Sequence, residues 1–390
     1  MPDPLLKELL APEEQLLLFL ARGHLPPQAR RQALALLAAP LDWDKLYRQA
    51  VEQEIFPLVY QNLSDLGFPG VPAAVRDNLR HLVTRNCLRN TLLTSELRRV
   101  LELFNHAGIA AIPLKGLPLA ESLYGEAALR VCSDIDVLVP RLQVNAALGV
   151  LTAARYRSDA ESGFFARLLQ RHDIECALTR EQGAFRYLLE LHWGVFWGGR
   201  SEKFITENLW AQAYPTQILG TPAFGLGPEW QFLYLAAHAA RHQWQGLKWL
   251  VDINELCLRG NLDWNKIAAI AERLGWQNIL GLTLQACHRL FDTPLAPNNS
   301  PGDIPVWLKL FPAAPNGSWR SPFFATRLLK RPSEKLRHTA RVIFVPTSNE
   351  RSLASLPPLL SFLYYPLRPL RLGFKWSSLL LRGALARGSL

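Results

Sequence analysis

The sequence lacks the cysteine pattern of a disulfide-stapled protein. It has five cysteines in 390 residues, and they are scattered with no C-x-x-C pair among them. Small secreted domains instead carry even numbers of closely spaced cysteines as a framework. We therefore expect the five side chains to be reduced thiols and the protein to be cytoplasmic.

Long hydrophobic runs are also missing. The most apolar late stretch, residues 359–381, is interrupted by prolines and basic side chains. It falls short of the ~20 apolar residues that a membrane-spanning helix needs. The chain begins Met1-Pro2-Asp3-Pro4, with no basic segment ahead of its apolar residues. We expect neither a transmembrane segment nor a signal peptide.

The composition is that of a globular protein with a basic surface. Hydrophobic residues make up 49% of the chain and there are 12 Trp, enough for a sizeable core. Lys and Arg number 43 against 33 Asp and Glu, an excess that favours anionic partners. The sequence has no aromatic-basic RNA-recognition motif, so a nucleotide is a better expectation than a nucleic acid.

Hydrophobic periodicity divides the chain into four regions and predicts a fold of the α+β class. Residues 1–108 have helical spacing, residues 109–227 alternate short strands and helices, and residues 228–293 are helical again. Residues 294–390 begin with a linker rich in Pro and Asn, Pro294–Pro305, and continue as a basic, aromatic-rich helical region. We interpret residues 109–227 as a catalytic core and residues 228–293 as a helical domain that closes its cleft.

Individual elements follow from the same spacing. The first is a long helix with apolar residues from Val75 to Phe104, ended by Asn105-His106-Ala107-Gly108. Short elements then alternate: strand Ile109–Leu114, helix Leu119–Tyr124, strand Ile135–Val139, helix Val144–Ala154, strand Ile174–Leu178, a polar turn Thr179–Gly183 and strand Leu188–Leu191. Helical periodicity returns over Glu229–Val251, Leu262–Gly275 and Gln277–Phe291.

Two short motifs indicate chemistry. Lys115-Gly116 ends an apolar run ahead of a helix, where backbone N–H groups and a cation suit a phosphate. Asp134 and Asp136 are one residue apart on a predicted strand, so both carboxylates face one side. Such a pair repels itself unless a cation lies between, and Mg²⁺ prefers carboxylate and phosphate oxygens. The alternative is an ordinary solvated strand end.

A two-metal phosphoryl-transfer site needs a third carboxylate. Glu190 is the first candidate, because apolar residues flank it on a predicted strand, where an unpaired acid is costly. Asp173 and Glu175, which alternate on the preceding strand, are the rival pair. Both possibilities stay open on residue patterns alone.

The ordered motifs resemble a known family. The sequence is similar to the bacterial "uncharacterised nucleotidyltransferase" family, a branch of the polymerase-β-like nucleotidyltransferases. The motifs that carry the resemblance are Leu114-Lys115-Gly116, Leu123-Tyr124, Arg130, Ser133–Val139, Glu190-Leu191-His192-Trp193, His238-Ala239-Ala240-Arg241-His242, Leu247–Ile253 and Leu363–Leu372.

The resemblance implies a small mixed-sheet core in which Asp134, Asp136 and Glu190 are catalytic and hold Mg²⁺ or Mn²⁺. It implies transfer of a nucleoside monophosphate from an NTP to a hydroxyl of an acceptor, with release of pyrophosphate. The wider superfamily has Gly-Ser where this chain has Gly116-Leu117, so a hydroxyl is missing there. The substrate-binding candidates are Lys115, Gly116, Arg130, Ser133, His192, His238, His242 and Lys248.

Some of these residues have ordinary interpretations too. His238 and His242 have zinc-ligand spacing, but no third ligand is evident, and lining a nucleotide cleft is the better expectation. Lys248 and Asp252, at i and i+4, form a simple helix pair by spacing, and only the resemblance places them at a cleft. Among the Trp residues, Trp193 and Trp197 lie beside Glu190 in sequence and are candidates to stack on a base.

Two other functions remain as alternatives. An Asp-x-Asp motif also serves glycosyltransferases that use nucleotide sugars, although the helical character of residues 1–108 disfavours their fold. A non-catalytic nucleotide-binding protein is the second. For the C-terminal region, residues 356–385, the alternatives are a peripheral membrane or protein contact and a packed helical cap.

Overall fold

The computed structural model describes residues 9–158, 173–195, 202–260, 262–294, 324–353 and 356–374. Nearly all of the predicted linker Pro294–Pro305 therefore lies outside the described residues, as do Trp197 and the end of the C-terminal region from residue 375. The fold is of the α+β class with a small mixed sheet, as the sequence predicts. The four region boundaries stay predictions.

The N-terminal part is helical. Its helices are α1 Pro12–Leu20, α2 Pro27–Leu37, α3 Trp43–Glu52, α4 Phe56–Asp65 and α5 Ala73–His106. Helix α3 begins where the side chain of Asp42 accepts a hydrogen bond from the backbone N–H of Lys45, which satisfies one unpaired donor of the first turn. Helix α1 contributes residues 16–18 and Leu20, all fully buried, to the core beneath these helices.

Helix α5 links two cores, and its predicted extent is confirmed. Near its start, Val75 and Leu79 pack with the other N-terminal helices, whereas Leu93 and Phe104 pack against the sheet. Between these halves, Asn86 and Asn90 donate hydrogen bonds of 2.6–3.1 Å to backbone carbonyls of residues 127–130. One continuous helix thereby fixes the loop that leads into the Asp-x-Asp motif.

The central sheet has the strand order β1-β2-β5-β4-β3. The strands are β1 Ile112–Pro113, β2 Ile135–Leu138, β3 Arg157–Ser158, β4 Glu175–Gln182 and β5 Phe185–His192. Strands β2 and β5 are parallel, and the other neighbours are antiparallel. Helix α6, Val144–Ala153, follows β2. The remaining elements of this part are helix α7 Glu202–Trp210 and the hairpin of β6 Tyr214–Ile218 and β7 Thr221–Gly225.

Two predicted boundaries in this part are wrong. The polar segment Thr179–Gly183 is mainly strand, because β4 continues to Gln182 and turns at Gly183, where φ is +59°. Arg180 explains the polar character, since its guanidinium bonds the buried carboxylate of Glu96 on α5. Strand β1 pairs over only two residues rather than the six predicted.

The helices after the sheet are α8 Pro228–Arg241, α9 Leu247–Leu258, α10 Trp264–Leu274 and α11 Gln277–Phe291. The single helix predicted over Glu229–Val251 is therefore two. The chain breaks at Gln243 and Trp244, which both have positive φ. A positive φ costs free energy in residues with a Cβ. Burial of Trp244 and its hydrogen bond of 2.9 Å to Thr283 Oγ1 offset this cost. Both are tertiary contacts, so helical periodicity in the sequence does not predict the break.

The described C-terminal elements are α12 Phe324–Leu328, α13 Pro332–Phe344, α14 Ser348–Leu353, a 3₁₀ segment Pro358–Leu363 and a helix over 364–374. Arg368 and Arg371 both bond the fully buried carboxylate of Glu350. These two basic side chains thus belong to an internal ion-pair cluster, and a peripheral contact of the C-terminal region stays a prediction. Among the described helices, none is long and apolar enough to span a membrane.

Candidate active site

A cleft of about 190 Å³ opens at the ends of β2 and β5. Every residue of the predicted catalytic and substrate-binding sets lines it except Asp136, which is almost fully buried. The structure also adds residues that the sequence did not single out. The lining residues are Glu54, Lys115, Gly116, Arg130, Val131, Ser133, Asp134, Glu190, His192, His238, Arg241, His242, Lys248 and Trp249.

The carboxylates come from two neighbouring strands. Asp136 on β2 pairs in register with Glu190 on β5, and Asp134 lies just ahead of β2. The intervening Ile135 and the following Val137 are buried in the core, as alternation along a strand requires. The side chain of Asp136 is 1% exposed and that of Glu190 27%. Burial and the charge of Asp136 raise the pKa of Asp134.

Lys115, which follows β1, neutralises this acidic group. Its Nζ lies 3.0 Å from Asp136 Oδ1 and 4.0 Å from Asp134 Oδ2. Burial opposes the charged amine, but the two carboxylates outweigh it and raise the pKa of Lys115. The ammonium therefore contacts the two carboxylates, whereas the sequence suggested that it contacts a phosphate.

His192, at the end of β5, is hydrogen-bonded on both ring nitrogens. Nε2 lies 3.1 Å from Asp136 Oδ1 and 3.6 Å from Glu190 Oε2, and Nδ1 lies 3.1 Å from Glu175 Oε2. Burial opposes the imidazolium, but the three carboxylates raise the pKa of His192 well above its usual range. Glu175, the rival third carboxylate, bonds both His192 and Arg241, so it lies behind the imidazole.

The donor set suits a divalent cation. One ligand atom each from Asp136, Glu190 and His192 lie within 4.8 Å of one another, the one such group among the described residues. Asp136 Oδ2 is buried and has no hydrogen-bond partner in the described part of the chain. A buried carboxylate oxygen without a donor is costly, and a cation would satisfy it. Asp134 is not part of this group but lines the same cleft.

Arg130 lies at the cleft wall with its guanidinium bound to Asp252 of α9. Nε and Nη2 contact the carboxylate at 2.9–3.2 Å, and Tyr124 Oη donates to it at 2.8 Å. Both charged side chains are almost fully buried. Arg130 therefore joins the loop before β2 to α9, and substrate binding by Arg130 stays a prediction. The predicted Lys248–Asp252 helix pair is wrong, because Asp252 pairs with Arg130.

Lys248 instead points toward the cleft and meets Glu54. Its Nζ lies 2.5 Å from Glu54 Oε2 and 3.4 Å from the carbonyl oxygen of Val131. Glu54 occupies the connection between α3 and α4 with φ of +54°. No sequence signal marked it, because its place in the site depends on how the N-terminal helices pack against α9.

An aromatic wall closes the other side of the cleft. The ring of Trp249 lies 5.3 Å from that of His238 and 4.4 Å from that of His242. Burial and nearby Lys115 lower the pKa of His238 well below its usual value, so this ring is neutral. Both His238 and His242 line the cleft, and among the described residues neither belongs to a group of metal-ligand side chains. Trp193 does not line the cleft, because it is buried and donates to the carbonyl of Asp173.

Gly116 shapes the start of the cleft. Its φ of +72° and ψ of −118° lie where residues with a Cβ are strained. Leu117 is buried in the core and contributes no polar group to the cleft. The helix predicted over Leu119–Tyr124 is a turn of α-helix at Leu117–Leu119 that continues as a π-helix at Ala120–Tyr124.

A small mixed sheet that presents carboxylates from two neighbouring strands to a cleft is consistent with a nucleotidyltransferase-like fold. The sequence matches the family described as "Uncharacterised nucleotidyltransferase" over residues 39–292, more than half of the chain, and the chain belongs to that family. Comparisons with curated proteins and with solved structures gave no match.

Proposed function

We propose that this protein transfers a nucleoside monophosphate from an NTP to a hydroxyl group of an acceptor and releases pyrophosphate. The observation that carries the proposal is the register of Asp136 with Glu190, with Asp134 beside them in a cleft that is also lined by Lys115, Arg241 and Lys248. Membership of the nucleotidyltransferase family supports the reaction class. The acceptor is a small molecule, a sugar or a peptide.

Asp134, Asp136 and Glu190 would hold Mg²⁺, or Mn²⁺ in its place. The partnerless Asp136 Oδ2 supports this assignment. When bound, such ions neutralise the triphosphate and lower the pKa of an attacking hydroxyl. The site is deep enough to exclude bulk water from Asp136, whereas Glu190 is partly exposed and can meet an acceptor.

The remaining cleft residues bind and orient the substrates. Lys248 and Arg241 supply positive charge for the triphosphate, and the exposed Ser133 offers a hydroxyl close to Asp134. Trp249 and the neutral ring of His238 form an aromatic surface on which a base can stack. Lys115 keeps the two aspartates in position while they are without a cation.

A thermal-shift panel tests the proposal. Purified wild type and the Asp134→Asn/Asp136→Asn variant are heated with ATP, GTP, CTP, UTP or UDP-sugars, each with Mg²⁺ or Mn²⁺. A nucleotide at 100 times its dissociation constant stabilises the fold by ~2.7 kcal/mol. Glu181→Gln is the matched control. Glu181 is an exposed acid of the same sheet, and it lies near the turn between β4 and β5, at the end away from Glu190.

A metal-dependent shift with one NTP, lost in the double variant and kept in Glu181→Gln, is the expected result. Release of labelled pyrophosphate in the presence of a fractionated metabolite extract then identifies the acceptor fraction. A shift with UDP-sugars alone would overturn the proposal in favour of glycosyl transfer. Binding of an NTP without pyrophosphate release from any fraction would leave a non-catalytic nucleotide-binding protein.

A further inference from the structure

His192 lies beside two of the carboxylates of the proposed metal site, Asp136 and Glu190. Along β5 it is two residues beyond Glu190, so the two side chains share one face of the sheet. Asp136 faces the same point from β2, in register with Glu190. The family resemblance implies only that His192 is one of the substrate-binding candidates.

We propose that His192 binds the metal ion directly through Nε2, and that Glu175 orients its ring through Nδ1. The inference rests on the metal site of the proposed function and adds a nitrogen ligand to it. His192 thereby joins Asp136 and Glu190 around one ion, with one carboxylate from each strand and one imidazole. Asp134, which lines the same cleft, remains a ligand of the proposed function and can complete the set.

The distances fit ligands of a single ion. His192 Nε2 is 3.1 Å from Asp136 Oδ1 and 3.6 Å from Glu190 Oε2. Adjacent ligands of an octahedral ion with bonds near 2.1 Å are about 3 Å apart. The two carboxylates already direct negative charge at Nε2, so a divalent cation can take the place of the proton between them.

The second ring nitrogen has the partner that metal-bound histidines usually have. Nδ1 meets Glu175 Oε2 at 3.1 Å, and Glu175 is itself held by Arg241, with Nη1 2.9 Å from the same oxygen. A carboxylate at this position fixes the ring orientation and makes the nitrogen a better ligand. Glu175 is a positioning residue in this arrangement, because it acts on the ion only through His192.

A nitrogen ligand changes which ion the site prefers. Mg²⁺ favours all-oxygen coordination, whereas Mn²⁺ and later first-row ions accept imidazole with increasing affinity. We therefore expect the site to bind Mn²⁺ or Co²⁺ more tightly than Mg²⁺.

Spin-echo EPR of the 390-residue chain loaded with Mn²⁺ alone tests the ligand directly. The expected spectrum contains ¹⁴N modulation from a bound imidazole, replaced by a ¹⁵N pattern when the protein is labelled with ¹⁵N-histidine. His192→Gln removes the modulation, and His238→Gln, a histidine in the same cleft, keeps it. Because labelled wild type identifies the nitrogen as histidine, that part of the result does not depend on a variant that folds.

Glu175→Gln provides the test of positioning. We expect a Mn²⁺ dissociation constant 10- to 100-fold weaker, with the ¹⁴N modulation retained. Manganese bound without histidine nitrogen, or with nitrogen that survives in His192→Gln, would overturn the proposal, as would failure to bind Mn²⁺. Pyrophosphate release from an NTP in any of those cases would leave the transferase proposal standing. Nitrogen ligation without any turnover would support His192 as ligand and count against the transferase.

Discussion

Asp136 and Glu190 occupy matching positions on the parallel strands β2 and β5. Parallel pairing places side chains of the same face side by side, so the two acids approach one point from residues 54 positions apart in sequence. Lys115 and His192 surround Asp136 and balance its charge. The site is thus assembled on rigid strands, with a buried carboxylate at its base.

The first prediction concerns Asp136. Asp136→Asn removes a charge that would hold the metal, so NTP turnover should fall by at least about 100-fold, more than loss of an outer-shell partner of a metal usually costs. Metal-dependent stabilisation by the NTP should disappear with it. Both are measured by pyrophosphate release and thermal shift, with Glu181→Gln as control. Turnover within a few-fold of wild type would exclude Asp136 from the metal site.

The second prediction concerns the ion pair of Arg130 and Asp252. Arg130→Met leaves a buried carboxylate without its partner and should destabilise the fold by about 3–5 kcal/mol. The double variant Arg130→Met/Asp252→Leu should recover most of this loss, because no buried charge remains unpaired. Urea unfolding measures all three proteins. Equal stability of Arg130→Met and wild type would contradict the observed pairing.

The third prediction concerns Glu54, which competes with a triphosphate for Lys248. Glu54→Gln frees the ammonium and should tighten NTP binding about two- to fivefold, since an ion pair with a partly exposed carboxylate is worth up to about 1 kcal/mol. Lys248→Met should weaken binding. Calorimetric titration with the NTP measures the change. Glu52→Gln, an exposed acid at the end of α3, should have no effect; an equal change there would indicate a general charge effect.

The fourth prediction concerns acid stability and Glu96 on α5. Burial opposes its charged form, but hydrogen bonds from Arg99, Arg180 and Tyr156 outweigh burial and lower the pKa of Glu96 below its ordinary 4.5. A lowered folded-state pKa contributes stability above pH 4.5 that is lost as the pH falls through the folded value. Unfolding between pH 6 and 3 should therefore show a steeper loss in wild type than in Glu96→Gln. If the unfolding free energies of both proteins fell equally with pH, the lowered pKa of Glu96 would be contradicted.

The fifth prediction concerns Gly116. Its positive φ makes Gly116→Ala strained, with an expected loss of about 1–3 kcal/mol in unfolding free energy. Gly149 is the matched control, because it is exposed in helix α6, where alanine is favoured by about 1 kcal/mol. Chemical unfolding should thus give opposite signs for the two substitutions. Stabilisation by both would show that the turn at Gly116 accepts an ordinary residue.

The acidic residues of the site could be predicted from sequence because their signals are local. Asp134 and Asp136 follow the two-residue period of a strand. Glu190 is an acid within an apolar strand, but the pattern left Asp173 and Glu175 as rivals, and the family resemblance favoured Glu190. Their register could not be predicted, since strand pairing depends on contacts distant in sequence. The same limit applies to His192, whose two partners, Asp136 and Glu175, come from different strands.

Other parts of the structure depend on packing that no local pattern contains. Arg130 and Asp252 are 122 residues apart and meet only because α9 packs beside the loop after Ala127. Spacing within one helix favoured a Lys248–Asp252 pair, but each side chain finds a better partner elsewhere. The break at Trp244 likewise follows from burial of one indole, an effect invisible to helical periodicity.

The buried face of α1 has a consequence for the limits of the family match. The match begins at residue 39, yet Leu16, Leu17 and Leu20 are fully buried against the helices that it covers. Arg22 and Gly23 tie the same segment to the carbonyl of Phe291 and the carboxylate of Glu255. A fragment of residues 39–292 would therefore expose the apolar surface that helix α1 covers. The first helices therefore belong to the same hydrophobic core as the helices within the matched residues.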